Sequence, residues 1–312
     1  MIHKQIIKLI ELYNRIIIHH HINPDADCIG SQLGLKYILE ESFPEKKVFA
    51  VGNHNEKTKF LGKLDKIDDD VYENALVIIV DVGDKERIDD NRFYIGEKLI
   101  KIDHHPKTIN FADIEWVDTS YSSCCEMIID LYIKNNDKLK MNSAAARVLY
   151  AGVLTDTGRY YYQAVLPRTF NLGAEIYKYD FDKQALYADI YHKSIKELKF
   201  KGYILDNFKY TENGLGYMKL KSDILKQFSI TSEDASSEVN ILSNIKEIHL
   251  WIFFIEYKDK IRVEFRSREI LVNELAKKYG GGGHKLASGA LVDSWEIVDS
   301  IIKDANSLCE KG

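Results

Sequence analysis

The stretch IIIHHHINPDADCIGS, Ile16–Ser31, runs three β-branched residues straight into three histidines, a proline and two aspartates one residue apart. A short continuous apolar run of this kind reads as a strand buried on both faces, the type found in parallel sheets covered by helices. In open sheets of that class, ligands gather beyond the carboxyl ends of the strands, where the connecting loops converge. Imidazoles and carboxylates placed directly after a buried strand therefore mark where chemistry is to be sought.

On either side the pattern alternates: a helix over 3–13, a strand at 15–19, a helix at 28–41, and strands near 47–51, 75–80 and 98–102. Helical periodicity between short β-branched runs predicts an α/β domain, a parallel sheet with helices on both faces. The segment DKQALYADIYHKSIKELKFKGYIL reads as one connecting helix. The expected organisation is a catalytic domain over 1–182, a linker helix over 183–205 and a smaller α/β domain over 206–312.

In the second domain, IHLWIFFIEYKDKIRVEFRSR reads as two strands joined around Lys258 and Asp259. Alternation in the second strand puts Val263 and Phe265 on one face and Arg262, Glu264, Arg266 and Arg268 on the other. A helix in VNELAKKY, the run Gly280-Gly281-Gly282-Gly283-His284 and a last helix from Trp295 to Leu308 follow.

A chain of 312 residues suits two domains, and 45% hydrophobic with 29% charged residues is the composition of an ordinary globular protein. Its net charge of -5 speaks against coating a long polyanion, so a phosphate-bearing substrate must be met locally. Cys28, Cys124, Cys125 and Cys309 form no CxxC pair, which fits a reducing compartment and disfavours a zinc-thiolate site. No apolar run approaches the roughly 20 residues of a membrane span, and the amphipathic N-terminus lacks a signal-peptide pattern, so a cytoplasmic protein without a membrane partner is expected.

Each strand end delivers an acid. After RIII come His19 to Asp27; after LVIIV comes Asp81; after LIKI come Asp103, His104 and His105. A further acid, Asp156, closes an alanine-rich helix in YAGVLTDTG. One strand-end aspartate is ordinarily a helix cap or turn former. Four such clusters are different, because carboxylates gathered without a cation would force large mutual pKa shifts. His and Asp donors without Cys suit a hard or borderline divalent ion such as Mn²⁺. Six or more donors exceed one ion, so the economical reading is two ions about 3.5–4 Å apart sharing a carboxylate, an arrangement that activates water for phosphoester hydrolysis.

HINPDADCIGS, VDVGD, DHHP and AGVLTDTG resemble, in order, the four motifs of the DHH phosphoesterase superfamily. FRSREILVNELAKKYGGGGHKLASG resembles the DHH-associated C-terminal domain, so the similarity spans nearly the whole chain. The resemblance implies a cofactor of two Mn²⁺ ions, with Mg²⁺ or Co²⁺ as alternatives. By matching position, His21, Asp25 and Asp81 would hold one ion and Asp27, Asp81, His104 and Asp156 the other, with Asp81 as the bridge. His105 would lie nearer the substrate phosphate, and Asp103 would orient an imidazole from behind. His19 and His20 have no matching role. After the second-motif aspartate the family often has a small residue and then Asn, whereas this chain has Val82-Gly83-Asp84.

The compact two-domain form resembles bacterial oligoribonucleases. That implies hydrolysis of short oligoribonucleotides, including linear dinucleotides such as pApA, to mononucleotides, with removal of the 3′-phosphate of pAp as a second activity. A phosphodiesterase dedicated to cyclic dinucleotide turnover and a non-catalytic nucleotide sensor are the alternatives, and a homodimer is left open. In the second domain the resemblance implies that Arg266, Arg268, Gly281, Gly282, Gly283 and His284 meet the nucleotide's terminal phosphate or base. Guanidinium groups suit phosphate contact or stacking, and glycines let amides crowd a ligand. Arg159, three residues past Asp156, is a further phosphate candidate, and Tyr160 to Tyr162 suit base stacking or core.

Overall fold

The computed structural model describes residues 2–107 and 109–310, and the chain divides into two compact units, Met1–His192 and Lys193–Gly312. In the first, α1 (Ile2–Leu12) leads into β1 (Arg15–His19), α2 (Ala26–Ser42), β2 (Lys47–Ala50), β3 (Leu76–Val80), β4 (Lys98–Asp103) and β5 (Ile114–Val117). The helices α3 (Cys124–Ile133), α4 (Ser143–Asp156), α5 (Pro167–Tyr177) and α6 (Lys183–Tyr191) follow. The five strands form one parallel sheet in the order β2-β1-β3-β4-β5.

Ile16, Ile17 and Ile18 are fully buried, as are all five residues of β3, because apolar layers cover both faces of the sheet. Ile16 and Ile18 join one core with α1, α2, α3 and α4, while Ile17 packs with Val77, Ile79 and Tyr72 on the other side. Successive side chains of a strand point to opposite faces, so an uninterrupted isoleucine run fits only a doubly covered strand. The order reverses between β1 and β3, the position at which ligands gather in open sheets of this class.

Two local differences from the sequence-based expectation have clear causes. Helix α2 starts at Ala26 because the Asp25 side chain accepts from Cys28 N at 2.9 Å as its N-cap. The strand β5 was not expected; four residues at a sheet edge carry too little periodicity to be read before their pairing with β4 is known.

The span expected as one linker helix is two. After α6 the chain breaks at His192–Ser194 and restarts as α7 (Ile195–Asn207), where Ser194 and Glu197 form a reciprocal capping box. Beyond it lie β6 (Lys209–Tyr210), β7 (Leu215–Leu220), α8 (Ser222–Phe228), α9 (Ser232–Ser237), β8 (Leu250–Tyr257), β9 (Lys260–Ser267), α10 (Asn273–Lys278), β10 (Gly282–His284), β11 (Ala287–Val292) and α11 (Trp295–Cys309). They build a mixed six-stranded sheet in the order β10-β11-β9-β8-β7-β6. The β8–β9 hairpin turns at Lys258 and Asp259, with Lys258 in the left-handed region at φ 54°. Ile261, Val263 and Phe265 are buried, whereas Arg262, Glu264 and Arg266 on the alternate face are half-buried.

Candidate active site

Acids and imidazoles from four elements meet at the carboxyl ends of β1, β3 and β4. Asp81 follows β3 in the left-handed region at φ 58°, a conformation that costs a non-glycine residue on the order of 1 kcal/mol and that Asp tolerates better than most. Its N–H donates to Ile102 O at 3.0 Å, tying it to the end of β4. From there Oδ2 lies 3.6 Å from His21 Nε2 and Oδ1 lies 3.4 Å from His104 Nε2.

His104 Nε2 is also 3.5 Å from Asp156 Oδ2 and 3.8 Å from Asp27 Oδ2, and His21 Nε2 is 4.0 Å from Asp25 Oδ2. Asp156 reaches the cluster from the end of α4. That helix can approach because Gly152 carries no side chain: a Cβ there would fall 2.3 Å from Cys125 Sγ and 2.9 Å from Asp27 Oδ1. Fully buried Asp27 is held by the first amides of α3, accepting from Cys124 N at 2.7 Å and Cys125 N at 2.9 Å.

Backbone partners set the rings. His21 Nδ1 lies 2.8 Å from Ile22 O and His104 Nδ1 lies 3.4 Å from Tyr121 O, so each Nδ1 serves as donor to a carbonyl and Nε2 is the ring nitrogen turned toward the carboxylates. His105 Nδ1 lies 2.8 Å from Asp103 Oδ1 and 3.5 Å from Asp81 Oδ1.

Electrostatics in the cluster are opposed. Burial raises the Asp81 pKa, but the close approach of the His104 and His21 rings overrides it and holds the carboxyl well below its usual range. Burial and then the Asp81 charge push Asp27 up to about 7. Burial also heads the causes that raise Asp156, followed by the charges of Asp27, Asp25 and Asp81. For His104, burial opposes the charged ring, yet Asp81, Asp27 and Asp156 lift it to about 10. The contact with Asp103 raises His105.

These groups suit a cation. Asp81 Oδ1 and His104 Nε2 are buried yet have no hydrogen-bond partner among the described residues, which is costly unless an ion completes them. Among the described residues, three sets each bring one donor atom per residue within 4.8 Å of one another: His21, Cys28 and Asp81; Asp81, His104 and His105; Asp27, His104 and Asp156. Cys28 was not expected near the cluster. Burial, then the charge of Asp81, pushes its thiol well above the usual range, so it stays neutral beside the acids.

His19 and His20 lie in the interior. His19 Nε2 is 3.1 Å from the Tyr72 hydroxyl, and His20 Nδ1 is 2.8 Å from His21 O. Arg159, in a left-handed turn at φ 63°, sets its guanidinium 5.0 Å from the Tyr191 ring centre. Tyr160 stacks on Phe170, whereas Tyr161 and Tyr162 are exposed.

In the second unit, Arg266 donates to Phe265 O at 2.8 Å and Ser288 O at 3.3 Å and pairs with Glu264. Arg268 departs from the expected strand face. It lies one residue past β9, and its guanidinium donates to the carbonyls of Ser243, Ile245 and Lys246, because the strand ends where that loop crosses. The glycine run is in part an edge strand: Gly282, Gly283 and His284 pair with Gly289, Ser288 and Ala287. Gly281 sits where a Cβ would fall 2.1 Å from Gly289 O, so close backbone packing alone requires a glycine there.

Fold and cluster together make a site suited to metal-assisted hydrolysis. The DHH family N-terminal domain matches residues 15–153, and the DHHA1 domain matches residues 217–311. The chain is 44% identical over 308 residues, 98% of each chain, to the bifunctional oligoribonuclease and PAP phosphatase NrnA of Bacillus subtilis. It is 42% identical over 288 residues, 92% of each chain, to the probable bifunctional oligoribonuclease and PAP phosphatase NrnA of Streptococcus mutans. The crystal structure of an exopolyphosphatase-related protein from Bacteroides fragilis superposes with a TM-score of 0.87 at 25% identity, covering 99% of this chain and 97% of that one. The protein belongs to the DHH family of phosphoesterases, which are hydrolytic enzymes.

Proposed function

We propose that the enzyme hydrolyses short oligoribonucleotides, including dinucleotides such as pApA, to mononucleotides and removes the 3′-phosphate of pAp, using two Mn²⁺ ions. The observation that carries the reading is Asp81, whose two oxygens address His21 on one side and His104 on the other, as a carboxylate shared between two ions would. Full-length similarity to relatives named as oligoribonuclease and PAP phosphatase supports the substrate class.

His21, Asp25 and Asp81 would hold one ion, and Asp27, Asp81, His104 and Asp156 the other. Bound there, the ions would polarise phosphoryl oxygens and lower the pKa of water. Asp81 stays ionised between two imidazoles, and the Nδ1 contacts of His21 and His104 keep both Nε2 atoms turned inward. His105 is half-exposed, with Nδ1 on Asp103, which leaves Nε2 to meet a substrate phosphate or give a proton to the leaving oxygen. Arg159, Arg266, Arg268, Gly281 to Gly283 and His284 are the proposed substrate contacts. No described helix is long and apolar enough to cross a membrane, and small RNA fragments as substrate go with a cytoplasmic setting.

Mononucleotide release from pApA, phosphate release from pAp, and cleavage of an RNA of about 24 nucleotides, each measured against added Mn²⁺, test the reading. Preference for roughly two to five units is expected, because each phosphate contact adds little unless end groups are recognised as well. Equal rates on the dinucleotide and the long RNA, or turnover indifferent to chelator, would overturn it.

A further inference from the structure

Lys101 sits inside β4 between Ile100 and Ile102 and is 1% exposed, a place where an ammonium persists only with compensating partners. Its Nζ donates to Gly83 O at 2.8 Å, and the Phe111 ring centre lies 5.0 Å away. The ammonium is 3.3 Å from Asp103 Oδ2, which receives no hydrogen bond among the described residues, so that contact is one of charge. Asp103 is fully buried and turns Oδ1 to His105, accepting from its backbone N–H at 3.2 Å and facing Nδ1 at 2.8 Å. Lys101 and Asp103 are two apart on one strand and so share a face of the sheet. Gly83 is two residues past Asp81, so one ammonium ties the loop that leaves β3 to the last residue of the neighbouring strand β4.

The geometry points to Lys101 as a positioning residue for hydrolysis: by tying the Gly83 carbonyl to Asp103 it fixes the carboxylate that orients His105. Nδ1–H is thereby held inward, and Nε2 is the ring atom open to substrate. The inference rests on the role given to His105 in the proposed function. A lysine that merely neutralised a buried aspartate would, when replaced, lower stability and leave turnover per folded molecule unchanged.

The test is kcat and KM on pApA at saturating Mn²⁺ for wild type, K101M, K101Q, D103N, K101M/D103N and H105A, with Mn²⁺ stoichiometry measured by calorimetry. K101M and K101Q are expected to lose about 10- to 100-fold in kcat, the usual effect of removing a group behind a reactive ligand, with KM within about twofold and stoichiometry unchanged. The double variant is expected to be no slower than D103N, since both changes break one chain. Should K101M not fold, K101Q carries the test, because its amide still donates toward Gly83 while the charge is gone. Wild-type kcat in K101Q, or losses that multiply in the double variant, would overturn the inference. A wild type inactive on pApA, or an H105A variant as fast as wild type, would sink the underlying reading of the site instead.

Discussion

Asp81 Oδ1 lies 3.4 Å from His104 Nε2, and among the described residues neither buried atom has a hydrogen-bond partner. A short-range attraction left unconverted into a hydrogen bond is what a site looks like when both atoms are donors to a third party. Asp81→Asn keeps the shape and tolerates the left-handed backbone, so the variant should fold. It removes the shared charge, and turnover should fall at least about 100-fold. Calorimetry should find fewer than two Mn²⁺ per chain; unchanged stoichiometry would contradict the bridge.

The pKa pattern sets a pH dependence for the metal-free protein. His104 is raised to about 10, so the stabilisation from its folded-state proton is complete below about pH 6.5 and is lost as pH rises toward 10. Asp27 is raised to about 7, so the folded chain keeps a proton that the unfolded chain releases near pH 4, and stability declines between about 4 and 7. Thermal melts in chelator should therefore show Tm contributions from both groups falling with pH, and Asp27→Asn should remove the part between 4 and 7. Mn²⁺ competes with these protons, so it should raise Tm more at pH 8 than at pH 6. An equal or larger rise at pH 6 would argue against the cluster as the binding site.

Gly152 is the contact that lets α4 deliver Asp156. Gly152→Ala would drive a methyl group against Cys125 Sγ and Asp27, and a loss of about 1–3 kcal/mol in urea unfolding is expected from overpacking. Because Asp27 must shift, Mn²⁺ affinity should drop with it; a variant as stable as wild type would show that the packing relaxes without cost.

The two arginines of FRSR should separate. Arg268 holds three loop carbonyls, so Arg268→Ala should lower stability by about 1–2 kcal/mol, within the range for exposed charge-assisted hydrogen bonds. Arg266→Ala should raise KM for pApA roughly tenfold, about what one phosphate contact contributes, with a stability loss no larger than that of Arg268→Ala. Steady-state kinetics beside thermal melts decide it, and a reversed pattern would exchange the roles.

Much of the fold was legible because burial leaves a local signature. Ile16 to Ile18 and the apolar run of β3 announce a parallel sheet, and the residues after them announce where acids and imidazoles gather. The hairpin at Lys258 and Asp259 could be read from alternation alone. The helix break at His192–Ser194 was hidden, because the capping box of Ser194 and Glu197 lies inside an otherwise helical composition. Lys101 was passed over inside LIKI, although a lysine within an apolar strand was the available signal.

Local sequence determined which residues stand at the strand ends, since a strand's periodicity and its terminus are properties of neighbours in the chain. Only the tertiary structure decided how they act together. The amides of Cys124 and Cys125 that hold Asp27, almost a hundred residues away, and the Lys101 ammonium behind Asp103 set charge and orientation through space, and electrostatic energy depends on distance and burial rather than on order along the chain.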